Sequence, residues 1–401
     1  MPSRSDLNIL QIALHLESLL LISLHQRKVR SMFVHQCRLP HVLKPSLYFC
    51  PEQYQRELEV LFRPSWQVVG SLSDLPQDGD FLTRELFGTP IIIRNFGGTI
   101  RTFLNVCPHR HCLLSHEPSG HSKEMTCQYH GWQFNADGRT GKIPFAQNFR
   151  PMPGGPECLK SFRTEVRGPM IFVTFNDDAP SLGEVPGPLI PVCDEFPAER
   201  WQQAGMWGYD FNASWKVVVE NTVEAYHVPT VHPKTLVSFG TEEEIEHVIT
   251  PEGTIMRSPI VSPELYRRVA DRLLPLLEPG CTHQYRLHHT FPNIFMMRID
   301  AMLQVMTVFP TSPETCHMTV HVFTLKAVNE TFASRLMTKL WGRAKVAIIK
   351  QILAEDARLY PDLQRGMKHS PFHGTISTLE ELVWAFQDYV RRKCGINDGE
   401  Q

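Results

Sequence analysis

The chain has 401 residues, 42% of them hydrophobic and 20% charged, which predicts an ordinary soluble protein of about two domains with a substantial buried core. Its 40 Lys and Arg nearly balance 42 Asp and Glu for a net charge of -2, leaving no electrostatic footprint for nucleic acid or an acidic membrane surface. The ten cysteines show no framework spacing, which excludes a disulfide scaffold and fits a reducing, cytoplasmic interior.

Ile9 to Leu24 is rich in Leu and Ile but contains His15 and Glu17. It is shorter than the roughly 20 apolar residues of a membrane span and lacks a small-residue cleavage site, so neither a transmembrane helix nor a signal peptide is expected. Residues 1–44 form an N-terminal extension without an assigned fold. Met32 is an alternative start, and residues 1–31 read as either a mis-assigned start or a peripheral amphipathic helix. Over Pro51 to Phe62 (PEQYQRELEVLF) the spacing of Leu58, Leu61 and Phe62 predicts a helix stopped by Arg63-Pro64, a helical lead-in over 45–63. Strand-like runs follow at Trp66 to Gly70, Phe81 to Leu86, Pro90 to Arg94 and Ile100 to Val106, punctuated by Asp78-Gly79 and Gly97-Gly98. A last run, Pro169 to Phe175, closes a β-rich domain over 64–176, and the Pro-rich stretch 177–197 reads as a linker.

Inside the β-rich domain stand Cys107-Pro108-His109-Arg110 and Cys127-Gln128-Tyr129-His130-Gly131-Trp132. Each short loop offers one thiolate and one imidazole. Two thiolates hold a ferric iron, while two neutral imidazoles on a second iron favour its ferrous form and raise the potential. Cys107, His109, Cys127 and His130 are therefore expected to hold one Rieske-type 2Fe-2S cluster. With 10 Cys and 19 His in 401 residues, a chance match at this spacing is on the order of one in a thousand. Zinc also accepts two Cys and two His, but its sites commonly group Cys with Cys and His with His. Asn105 to Arg110 and Cys127 to Phe134 resemble the two cluster loops of the Rieske family. Respiratory members carry an extra Cys in each loop, joined as a disulfide. Cys112 occupies the first of these positions, but the second loop has Tyr129, so the resemblance is to the oxygenase and ferredoxin branch. His111 stands where the family has Gly, a departure that bears on loop geometry or potential rather than on ligation.

Residues 198–395 carry their own α+β pattern. Strands are predicted at Gln284 to His289, Ile294 to Asp300, Met302 to Phe309 and Met318 to Thr324. Helices are predicted at Ala213 to Tyr226, at Thr331 to Leu359 with a break before Pro361, and at Thr378 to Lys393, the last with a Ser377/Glu380 capping box and Gly395 past its end. The segment Glu220 to His232 contains two His with nearby carboxylates, the donor set of a ferrous site that keeps positions open for O2 and substrate. On a regular helix residues five apart point about 140° away from each other. Pro229 answers this by disfavouring helix at Val228, so that the chain bends there. Glu224, one turn before His227, is positioned to accept the ring N–H of a ligand.

Two His five apart are by themselves usually incidental. The whole string, however, resembles the mononuclear-iron segment of Rieske non-haem iron oxygenase α subunits. The resemblance implies that His227 and His232 bind one mononuclear Fe(II) and that Asn221 and Glu224 are catalytic, Glu224 bridging the metal centres of neighbouring subunits. The bridge is most often Asp in ring-hydroxylating members and Glu in some, including carnitine and betaine oxygenases. Leu353 to Arg358, followed by Gln364-Arg365-Gly366, resembles the segment that supplies the third ligand, and Asp356 is preferred to Glu355. Phe291 to Met297 and Met302 to Met306 present alternating strand faces suited to an apolar pocket or to core.

The resemblance spans about residues 45–395 and implies an α+β chain: an N-terminal all-β Rieske 2Fe-2S domain, then an α+β helix-grip (START-like) catalytic domain, assembled as a homotrimer. The activity implied is that of a terminal oxygenase of the aromatic-ring-hydroxylating dioxygenase type, acting with O2 on an aromatic or small organic substrate. Because the chain lacks a Gly-rich dinucleotide fingerprint, its electrons are expected from NAD(P)H through a separate flavin and iron-sulfur reductase, with or without a ferredoxin. Two alternatives stay open: a monooxygenase acting on a carnitine- or betaine-like alkyl-ammonium compound, and a Rieske electron carrier, which would need the first domain alone.

Overall fold

The computed structural model describes residues 33–149, 158–236, 238–239, 244–261, 264–277, 284–327 and 329–396. Ile9 to Leu24 and the candidate start Met32 lie outside them. Among the described residues no helix is long and apolar enough to cross a membrane.

The first half is built on a seven-stranded antiparallel sheet in the order Gln67–Ser71, Met170–Thr174, Ser161–Arg167, Thr99–Leu104, Thr89–Phe96, Asp80–Leu86, Ser119–His121. Two tight hairpins set its register. Phe87-Gly88 and Gly97-Gly98 all have positive φ, between 53° and 93°, which matches the twist of paired strands and is reached cheaply by Gly. A small three-stranded sheet, Met125–Thr126, Gln133–Phe134 and Thr140–Lys142, lies beyond it. Phe103, Leu114, Met125, Trp132 and Phe134 form its core, separate from the main one.

The second half is an eight-stranded antiparallel sheet running Trp201–Phe211, Thr315–Leu325, Met302–Ser312, Ile294–Ile299, Gln284–Thr290, Gly253–Val261 and Ser238–Phe239, with Glu246–Thr250 also on Gly253–Val261. Helix Phe332–Ala357 packs across the first two of these strands. A Cβ at Gly342 would stand 2.7 Å from the Ala204 Cβ, so the absence of a side chain there lets the helix lie close. Helix Glu381–Cys394 packs against helix Trp215–Val223 and the N-terminal turns around Leu58–Phe62.

Several predicted elements are corrected. The predicted helix over Ala213 to Tyr226 is shorter, Trp215–Val223, because Glu224 is extended (φ -117, ψ 165). The break before Pro361 is real, but a new helix, Tyr360–His369, starts there with Pro in its first turn, where a missing N–H costs nothing. Strand Trp201–Phe211 has too weak a pattern to be predicted, and in helix Glu264–Leu277 an internal Pro275 masks the helical repeat of Tyr266, Ala270, Leu274 and Leu277. The stretch 177–197 contains a short helix, Leu189–Asp194, with Leu189 and Val192 buried. The C-terminal capping box and the left-handed Gly395 are found as predicted.

Candidate metal centres and their cavity

The two Cys/His loops are built alike. In each, the Cys N–H bonds the carbonyl five residues on (Cys107 to Cys112, Cys127 to Trp132, both 2.8 Å), and its carbonyl accepts from the residue four on (His111 and Gly131, both 3.0 Å). The fourth residue is left-handed in both, at φ 59 for His111 and 71 for Gly131, which gives the family's preference for Gly a backbone cause. The Cys107 and Cys127 side chains are buried against one another, while His109 and His130 stand at the rim with ring centroids 4.6 Å apart. Trp132 stacks on His109 at 4.8 Å and 4°. Burial, with Cys127 beside it, pushes the Cys107 thiol up to about 11, so it needs a cation to ionise. Burial, aided by His130 and Arg110, lowers the His109 pKa and keeps its ring neutral. Paired thiols below and neutral imidazoles above fit a Rieske cluster. Cys112 is free, and Tyr129 opposite it lies under the Arg110 guanidinium at 5.7 Å.

The second centre brings His227, His232 and Asp356 together, with one candidate ligand atom from each all within 4.8 Å of one another. The bend lies elsewhere than predicted. The chain breaks at Glu224 rather than Val228. Pro229 sits inside a one-turn helix, Val228–Val231, flanked by His227 and His232 at its two ends. From those ends the rings converge at 5.3 Å and 69°. Each Nδ1 is held by a carboxylate: His227 by Glu224, and His232 by Glu355 at 2.7 Å, which also accepts from Thr235 at 2.5 Å. Both Nε2 atoms face Asp356 Oδ1, at 3.5 Å from His227 and 2.9 Å from His232. That oxygen is buried and has no aligned hydrogen-bond donor. Two imidazole nitrogens aimed at an unsatisfied carboxylate oxygen form the 2-His-1-carboxylate set, and the fit is to an oxygen-activating ferrous ion. Burial works against charge on His232, but Asp356 and Glu355 outweigh it and raise its pKa.

Glu355 therefore acts behind His232, as Glu224 does behind His227. Sequence alone shows Glu355 only as a rival ligand to Asp356, because its position behind His232 depends on how the helix docks. Asn221 lines the adjoining cavity and accepts a hydrogen bond from Tyr360 at 2.8 Å. That cavity, about 160 Å³, reaches from the triad between helix Phe332–Ala357 and the sheet. Met297, Met302 and Met306 line it, and Gln304 beside them is a lining group the sequence pattern did not single out.

Residues 65–163 match the Rieske [2Fe-2S] domain family, and residues 198–396 match the ring hydroxylating alpha subunit (catalytic domain) family. The chain belongs to the Rieske oxygenases, a Rieske domain preceding the catalytic domain of a ring-hydroxylating alpha subunit. Among its relatives, the large oxygenase component of the naphthalene 1,2-dioxygenase system of Pseudomonas aeruginosa is 31% identical over 46% of this chain and 43% of that protein. The carnitine monooxygenase oxygenase subunit of Escherichia coli K12 is 26% identical over 80% of this chain and 83% of that one. The chain thus spans under half the length of the first of these relatives. Its fold is that of a quaternary ammonium Rieske monooxygenase (TM-score 0.71, 22% identity, 89% of this chain and 95% of the other). It is equally that of naphthalene 1,2-dioxygenase from Rhodococcus sp. (TM-score 0.68, 19% identity, 90% and 95%).

Proposed function

We propose that the protein is the terminal oxygenase component of a Rieske non-haem iron system, using O2 and electrons originating from NAD(P)H to hydroxylate an aromatic or small organic substrate. The observation that carries this is the convergence of His227, His232 and Asp356 at an apolar cavity, in a chain that also bears the Rieske loops. When bound, the cluster supplies electrons and the ferrous ion supplies O2 activation. The protein's share is positional: Glu224 and Glu355 fix the two rings with Nε2 free to ligate, Asp356 supplies the anionic oxygen, and the thioether and aliphatic walls exclude water. In this reading the chain divides at 64–176 and 198–395, and a separate flavin and iron-sulfur reductase, with or without a ferredoxin, charges the cluster in the cytoplasm. A homotrimer passing electrons between subunits through Glu224 is supported by exposed side chains at both ends of such a path, Tyr129 by the cluster loops and Tyr226 by the triad. The alkyl-ammonium alternative rests on Glu at position 224 and on the long alignment with a carnitine monooxygenase subunit.

The test is anaerobic iron reconstitution followed by turnover with a generic reductase. Wild type should show the reduced Rieske paramagnetic signal, bind one further iron and couple NADH oxidation to an oxygenated product. H130A should lose the Rieske signal, whereas D356A should keep it and lose the second iron and the product. A colourless, zinc-loaded protein would sink the proposal.

A further inference from the structure

The cavity beside the triad contains a polar group that the protein leaves unsatisfied. Strand pairing aligns Gln304 with Met297 and Met302 with Ile299, and all four line the cavity. The intervening Leu303 and Val305 turn into a separate core on the other side of the sheet. Gln304 thus occupies a position where its neighbours on the same face are thioethers. It is 6% exposed, and its amide has no hydrogen-bond partner among the described residues. The amide is not sealed off from the cavity, so an occupant able both to donate and to accept can bond it there.

Charge and size narrow that occupant. The carboxylates lining the cavity, Glu224 and Asp356, face the two imidazoles. The Lys345 ammonium is bound by Asp300 at 3.0 Å and by Tyr266. A cation would enter an apolar space with no free counter-charge, at a large desolvation cost, and an anion would meet positive charge only at the triad's bound metal, away from Gln304. The volume, about 160 Å³, is close to the roughly 150 Å³ of an engineered apolar cavity that takes up benzene.

We propose that Gln304 is the specificity-determining residue of this cavity and selects an uncharged, single-ring substrate whose hydroxyl or carbonyl group bonds the Gln304 amide. The ring lies against Met297, Met302 and Met306, with its far side toward the triad. This rests on the oxygenase reading for what happens next, but the binding does not.

Calorimetric titration of the iron-loaded protein with benzyl alcohol, toluene, benzoate and L-carnitine tests it. Benzyl alcohol should bind most tightly, and benzoate and carnitine should bind least. In Q304M, a change that keeps the apolar volume, the preference for benzyl alcohol over toluene should fall by about threefold to tenfold, the worth of one hydrogen bond. Carnitine or benzoate binding as tightly as benzyl alcohol, or no binding of either neutral probe, overturns the proposal from wild type alone. An unchanged preference in a folded Q304M overturns it too. Iron content, the Rieske signal and product formation are read on the same samples. Their failure counts against the oxygenase reading, whereas the probe ranking counts only for or against Gln304.

Discussion

Glu224 behind His227 and Glu355 behind His232 make the two imidazoles equivalent in tautomer but not in surroundings. Carboxylates in this position typically tune metal affinity 10-fold to 100-fold or so, so E224Q and E355Q should each weaken iron binding by about that factor, measured by chelator competition. At saturating Fe(II) the two should diverge. E355Q should recover cluster reoxidation, while E224Q should stay slow if electrons reach the triad through Glu224; equal recovery would return Glu224 to a purely orienting role. His111 poses a different question at the same scale. Its left-handed backbone costs an ordinary residue about 1–2 kcal/mol, and Gly gives back roughly 0.5–1 of that as unfolded-chain entropy. H111G should therefore raise stability by at most about 1.5 kcal/mol with the cluster signal kept, and a lowered melting temperature would mean that the imidazole has a role of its own.

Elements carry these residues to one another. Helix Phe332–Ala357 delivers Asp356 to the triad, and its closeness to the sheet depends on Gly342 against Ala204. G342A should cost about 1–3 kcal/mol through overpacking and, by displacing the helix, should also reduce iron occupancy; a drop in melting temperature with full occupancy would show that the helix yields without moving Asp356. At the N-terminal edge of helix Glu381–Cys394, the buried Glu381 carboxylate accepts from the backbone N–H groups of Val34 and His35, at 2.9 and 2.8 Å, and bonds His247 at 3.0 Å. Burial acts to raise its pKa, but the His247 contact and these N–H groups prevail and lower it below the usual 4.5. A depressed folded pKa stabilises above the unfolded value and is lost as pH falls through the folded one. Docking of residues 33–44 should accordingly hold at neutral pH and loosen below about 4.5. E381Q at pH 7 should show the same loss as faster amide exchange at Val34 and His35, and unchanged protection there would refute the anchoring role.

Across the whole molecule, the two halves are joined by buried polar contacts. Glu57 of the lead-in helix binds Lys216 at 2.6 Å and Trp215 at 2.7 Å, both on the helix that leads to the triad. Gln67 of the Rieske sheet accepts from Asn293, in the turn before strand Ile294–Ile299 of the catalytic sheet, at 3.0 Å. Removing one member of a buried pair leaves the other charge uncompensated, so K216M should cost about 3–5 kcal/mol in denaturant titration, whereas E57M/K216M should recover most of that. If K216M were neutral, the contact would have little part in coupling the halves.

The loops and the His227/His232 pair could be read from sequence because metal donors are rare residue types fixed at short spacing, and local spacing survives whatever the rest of the chain does. The hairpin at Gly97-Gly98 and the cap at Ser377 were local for the same reason. Convergence was not local. Pro229 suggested a bend at Val228, but the extended Glu224 and a one-turn helix aim the rings. The choice of Asp356 over Glu355 is a matter of about 100° around a helix, visible only once that helix is docked on the sheet. Gln304 lies within an apolar strand, and only the strand pairing shows that its amide faces the cavity. What a residue is made of was written in the chain, but what it faces depended on packing, between neighbouring strands for Gln304 and between segments more than a hundred residues apart for His232 and Asp356.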